Sequence, residues 1–278
     1  MIKDVVVNLG IGKPHDVAAG YAVAIAEAFN AHLCAVAFAY EPVVPPSIMG
    51  GVPLEVIEAQ WAASERAADA AIAAFEAAAK RAGIASERRK LAASLGGAGE
   101  LFGRLARRFD LSVVGQTEPK QGAAQDLVIE GALFGSGRPV IVVPYIHHGG
   151  LGLDRVLVCW DGGRAAARAV ADAMPLLARA GAIDVVMVES GRRRGASDEI
   201  PGVDVGEHLA RHGLKIEVKR VVSTDVDVPN TILSHAADSG TDFIVMGGYG
   251  HSRLREFILG GATQGVLASM TVPVLMSH

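Results

Sequence analysis

Residues 242–276 read DFIVMGGYGHSRLREFILGGATQGVLASMTVPVLM. A short apolar run ending Ile244-Val245-Met246 breaks into Gly247-Gly248-Tyr249-Gly250, and nine residues later a second glycine pair, Gly260-Gly261, precedes Ala262 and Thr263. The pattern predicts a strand over 242–246, a glycine turn, a helix over 253–268 and a closing strand over 272–276. Glycines just beyond a buried strand let backbone N–H groups approach a phosphate, because no Cβ intervenes. Gly260, Gly261 and Thr263 fall at the start or interior of the last helix, where free amides and the helix dipole favour an anion. Helix–strand turns also use glycine freely, so these glycines acquire meaning only from the rest of the chain.

Working outward, the stretch closes the second of two copies of one pattern. Aligning Asp4 with Asp154 sets Val5-Val6-Val7 beside Arg155-Val156-Leu157, and some thirty residues follow without a gap. A repeat of domain length indicates duplication. In the first copy we expect strands at 3–9, 33–40, 89–94, 111–115 and 139–143. Helices are expected at 16–30, 54–82, 100–109 and 125–134. Leu54, Ile57, Trp61, Ala68, Ile72, Phe75 and Ala79 recur at helical spacing before Gly83, which predicts a long amphipathic helix with a glycine cap. Residues 41–53 are too rich in proline and glycine for regular structure. The second copy predicts strands at 155–160, 183–188, 214–222, 242–246 and 272–276, with helices at 164–180, 205–212, 229–239 and 253–268. Strands alternating with helices imply two tandem, doubly wound, mainly parallel sheets covered on both faces, a Rossmann-like α/β class. The expected domains are 1–146 and 153–278, joined by a linker over 147–152.

Composition narrows the function. At 278 residues the chain is long enough for two cores. A net charge of -4 provides no basic stripe for nucleic acid. No apolar run reaches the ~20 residues of a membrane helix, and Met1-Ile2-Lys3-Asp4 opens no signal region, so a cytoplasmic location is expected. Cys34 and Cys159 sit in apolar strand-like runs and read as buried thiols. The histidines at 147, 148 and 278 read as a solvated linker and terminus rather than metal ligands. Arg192-Arg193-Arg194 reads as a solvated loop.

Three features of the second copy converge on the carboxyl edge where open parallel sheets bind ligands. They are Asp161 after the first strand, Met187-Val188-Glu189 ending the second, and the glycine loop after the fourth. An aspartate there accepts from an adenine amino group or a ribose hydroxyl, while glycine amides and the Thr263 hydroxyl face phosphates.

The run G-G-Y-G, nine residues, G-G-A-T, followed by V-L and T-V-P-V-L-M, together with V-L-V-C-W-D-G at 156–162, resembles the universal stress protein family. Nucleotide-binding members of that family carry G-x-x-G, nine residues, then G-Ser/Thr. The resemblance implies that Asp161 and Val188 contact adenosine and that Met246 and Gly247 form its wall. Gly250, Gly260, Gly261, Ala262 and Thr263 would take the phosphates of ATP, with or without Mg. Gly261 stands where the family has Ser or Thr, removing a hydroxyl contact worth about 1 kcal/mol. In the first copy Ile11 replaces the aspartate, and Gln116-Thr117-Glu118-Pro119-Lys120 replaces the glycine loop, so its site is degenerate. The resemblance further implies a stress-response regulatory module whose last strands, Val140–Val143 and Val272–Met276, pair within the chain as a pseudo-dimer, with a homodimer as a further option. No positioned nucleophile or acid–base pair accompanies the motif, so any ATP hydrolysis is expected to be slow. The alternatives are a scaffold that binds no nucleotide and an ATP-using enzyme of the wider α/β superfamily.

Overall fold

The computed structural model describes residues 1–13, 15–42, 51–118, 124–190, 204–223, 227–248 and 261–278. In the first half the elements run β1 (Asp4–Asn8), α1 (Val17–Phe29), β2 (His32–Tyr40), α2 (Leu54–Ala82), β3 (Ser86–Ala93), α3 (Gly97–Ala106), β4 (Leu111–Gly115), α4 (Ala124–Gly135) and β5 (Val140–Val143). The second half repeats them as β6 (Arg155–Cys159), α5 (Arg164–Leu177), β7 (Ala182–Ser190), α6 (Val205–Arg211), β8 (Ile216–Ser223), α7 (Val228–Asp238), β9 (Phe243–Gly247), α8 (Gly261–Ser269) and β10 (Val274–Ser277).

Local chemistry sets the helix ends. The Asp16 carboxylate accepts from the amides of Ala18 and Ala19, capping α1, and Asn30 closes it in the left-handed conformation. Gly83 ends α2 in the same left-handed way, as its place after the last apolar turn predicts. A turn follows α4, with the Ser136 hydroxyl donating to the Ala132 carbonyl and Gly137 at a φ of +65°.

The two parallel sheets merge into one ten-stranded sheet of order β3-β2-β1-β4-β5-β10-β9-β6-β7-β8. Every neighbouring pair is parallel except β5 with β10, where Val142 lies opposite Val274 and Val140 opposite Met276. The strands nearest this seam are apolar on both faces because helices cover both, and β5 and β10 are wholly buried. Alternation sends Val5, Val7, Val156 and Val158 to a core under α1, α2, α5 and α6. Val6, Leu157, Ile244 and Met246 face the opposite core under α3, α4, α7 and α8. At the outer edges β3 carries Glu87, Arg88, Arg89 and Lys90, and β8 carries Glu217, Lys219 and Arg220. Charge of this kind blunts an edge strand against further pairing.

The duplication reaches deeper than the aligned first strands. Asp110 accepts from the amides of Lys3 and Asp4 at 2.8 and 3.1 Å, and Asp242 accepts from those of Asp154 and Arg155 at 2.9 and 3.3 Å. In each half a carboxylate ahead of the fourth strand clamps the start of the first.

Several expected boundaries shift. The third strand begins at Ser86 rather than 89, the third helix at Gly97 rather than 100, and the helix expected to reach 180 ends at Leu177, two residues after Pro175. His147 is not a solvated linker residue. Its ring stands edge-on to Tyr21, centroids 5.3 Å apart, with Nε2 buried. The tip of the 41–53 loop and the Arg192–Arg194 run lie outside the described residues.

Candidate functional site at the carboxyl edge

β6 lies between β7 and β9, and the helices that follow β6 and β9 cover opposite faces of the sheet. That makes the carboxyl ends of β6 and β9 a topological switch point, where the chains diverge and leave a crevice. The register places the expected residues there. Cys159 pairs with Val186, and the Trp160 amide donates to the Val186 carbonyl at 2.9 Å, so Asp161 falls level with Val188. On the other side Val158 pairs with Val245, which brings Asp161 beside the end of β9 at Gly247 and Gly248. Asp161, Val188, Met246 and Gly247 are thus brought together by three adjacent strands.

Asp161 is exposed, and its Oδ1 accepts from the Gly163 amide at 2.9 Å, which pins the carboxylate over the turn. Gly162 makes that turn possible at a φ of +76°, a region strained for side chains with a Cβ. Met246 is 4 % exposed and Val188 half-buried, forming an apolar floor. Cys159 belongs to the same floor. Burial first, and then the negative charge of Asp161, push its thiol up to about 12. Its sequence context pointed only to a buried thiol; its alternation with Asp161 along one strand was the signal for a place in the site.

Gly247 has a structural reason of its own. A Cβ there would lie 2.6 Å from the Ala166 amide nitrogen and 2.7 Å from the Ala165 carbonyl carbon, so β9 meets the first turn of α5 through bare backbone. Gly261, Ala262 and Thr263 form the first turn of α8. Gly261 is exposed and a Cβ on it would meet nothing within 4 Å among the described residues, whereas Thr263 is fully buried. Gly250 and Gly260 lie outside the described residues. Among the described residues no cluster of His, Cys, Asp and Glu is arranged to hold a metal ion. No described helix is long and apolar enough to cross a membrane.

The corresponding edge of the first half is filled by its own side chains. Asp16 takes the Gly10 amide at 2.6 Å as well as two amides of α1. Lys13 folds over Gly10 and pairs with Glu118 at 2.8 Å. Gln116, in the place after β4 that Gly248 holds after β9, is 3 % exposed and donates through Nε2 to the Leu267 carbonyl at 2.7 Å.

The buried Asp184 carboxylate accepts from Arg155 Nη1 at 3.0 Å and Lys219 Nζ at 3.1 Å, near the amino end of the second half's sheet.

Comparison with known proteins follows the same lines. Residues 152–278 match the model of the Universal stress protein family. A universal stress protein from Synechocystis sp. is 34% identical over 67 residues, a match that spans 24% of this chain and 22% of that protein. A universal stress protein from Archaeoglobus fulgidus DSM 4304 superposes with a TM-score of 0.68 at 17% identity, covering 98% of this chain and 97% of that one. A functionally unknown protein from Pseudomonas aeruginosa PAO1 does so at 0.61 and 12% identity, covering 99% and 92%. At such identities the superpositions speak for the fold, and they extend it over the whole chain.

Proposed function

We propose that this chain, whose residues 152–278 match the model of the universal stress protein family, is an adenine-nucleotide-binding regulatory module of a stress response, with one ATP held by its second half. The observation that carries the reading is the switch point itself, where Asp161, Val188, Met246 and Gly247 from three neighbouring strands meet an apolar floor and an exposed carboxylate. In this reading Asp161 accepts from a ribose hydroxyl or the adenine amino group. Val188, Met246 and Cys159 pack against the base. The amides of Gly261, Ala262 and Thr263, with Gly250 and Gly260, receive the phosphates at the positive end of α8. Mg would ride on the phosphates, since these donors are amides and suit an anion rather than a cation.

The first half, read as residues 1–146, holds no second nucleotide because Ile11 stands in place of Asp161, its crevice carries the Lys13–Glu118 pair, and Gln116 stands in place of the loop glycine. Among the described residues of the second site no nucleophile is paired with a base, and in this reading bound ATP acts as a signal and turns over slowly. Mass spectrometry of the denatured purified protein tests this. Co-purified adenine nucleotide, or a rise in the thermal midpoint on adding ATP and Mg, supports it; neither effect would refute it.

A further inference from the structure

Gly248, the first residue after β9, is held by the end of the neighbouring β10 and covered from across the β5–β10 seam. Its amide donates to the Ser277 carbonyl at 2.8 Å, and its carbonyl accepts from His278 Nδ1 at 2.9 Å. The His278 ring stands edge-on to Phe134 of α4, centroids 5.0 Å apart at 84°. A Cβ on Gly248 would lie 2.7 and 2.8 Å from the two Cδ atoms of Leu133 and 3.1 Å from its Cγ. Leu133 is itself 2% exposed in the core that contains Met246, so it has little freedom to retreat. α4 of the first half therefore lies directly on the backbone where the chain leaves β9. The mirror contact is built differently: at Gln116 the first half uses a side chain to hold α8 of the second, while at Gly248 the second half has no side chain and admits Leu133.

We propose that the first half is a positioning element for the nucleotide site of the second, with Leu133 setting the backbone at Gly248 directly and Phe134 setting it through the ring of the second half's own terminal His278. This rests on the adenine-nucleotide reading above. It assigns the duplicated half a task that survives the filling of its own crevice: the site in one half is shaped by a helix of the other. None of these three side chains needs to touch the nucleotide.

The test is a cycle of Gly248→Ala, Leu133→Val and the double variant in the full chain, with the dissociation constant for ATP-Mg measured by equilibrium dialysis and the thermal midpoint measured alongside. Gly248→Ala forces a methyl into Leu133 and weakens ATP binding roughly five- to tenfold. The double variant, which removes the Cδ atoms in the way, binds more tightly than Gly248→Ala alone. His278→Ala removes a bond at an exposed terminus without threatening the fold and weakens binding about threefold. Thermal midpoints that fall while the dissociation constants of all variants equal that of the wild type would overturn the positioning role and leave the nucleotide reading intact. Effects of the two substitutions that simply multiply would also overturn it. A wild type that binds no ATP would overturn both.

Discussion

Two glycines of the same candidate site should respond very unequally to the same substitution. At Gly247 an added Cβ would sit 2.6 Å from Ala166 N and 2.7 Å from Ala165 C. Both are backbone atoms at the start of α5, so relief requires moving a helix off a strand rather than turning a side chain. Overpacking of a buried site costs about 1–3 kcal/mol, and the upper end applies where the obstacle is backbone. Gly247→Ala should therefore cost about 3 kcal/mol, which for a chain of this size lowers the thermal midpoint by roughly 6–12 °C. At Gly261 an added Cβ meets nothing within 4 Å among the described residues and φ is not left-handed, so Gly261→Ala should change stability by no more than about 0.5 kcal/mol. Circular dichroism during thermal and urea unfolding, without nucleotide, reads both. Equal tolerance at the two positions would refute the argument that Gly247 exists to let β9 meet α5.

Removing the Asp184 carboxylate by substitution to Ala should destabilise by about 2 kcal/mol in urea unfolding, below the usual cost of breaking a buried pair because Arg155 and Lys219 can reach solvent. Gln116→Leu strands the Leu267 carbonyl across the seam and should cost about 1–3 kcal/mol by the same assay. Both thiols should resist an aromatic disulfide reagent in the native protein and react in denaturant. Burial raises each to about 12, with Glu87 adding to the effect at Cys34 and Asp161 at Cys159, so the thiolate is scarce throughout pH 7–9 and native reactivity stays low across that window. Rapid native labelling of either cysteine would contradict its placement.

How far the chain could be read in advance depended on whether the deciding contact was local. The long helix α2 was legible from Leu54 to its Gly83 cap because its apolar stripe and its left-handed stop lie within one segment. β4 was legible from the short run Leu111-Ser112-Val113-Val114-Gly115, apolar but for one serine. β3 was half lost, since Ser86, Glu87 and Arg88 carry no hydrophobic period: this outer strand pairs on one side only, with β2, and exposes charge on both faces. The carboxyl-edge convergence of Asp161 and Val188 followed from strand order alone. What no reading of one sequence could separate was the reason for each glycine. Gly247 answers to α5 and Gly248 to Leu133, partners distant along the chain, whereas Gly261 answers to no neighbour within the described residues. The internal duplication was visible in the first strands, but its best-kept signature, Asp110 and Asp242 clamping the first strand of each half, lay in single residues with no periodic pattern around them.

The claim at the centre is that the second half alone holds an adenine nucleotide at the β6–β9 crevice. The direct measurement is the stoichiometry of ATP-Mg on the purified chain by calorimetric titration, repeated on Asp161→Ala. The account predicts one ATP per chain, with binding abolished or weakened at least about tenfold by the loss of an exposed carboxylate that bonds the nucleoside. Two sites per chain, no site, or one site indifferent to Asp161→Ala would contradict it.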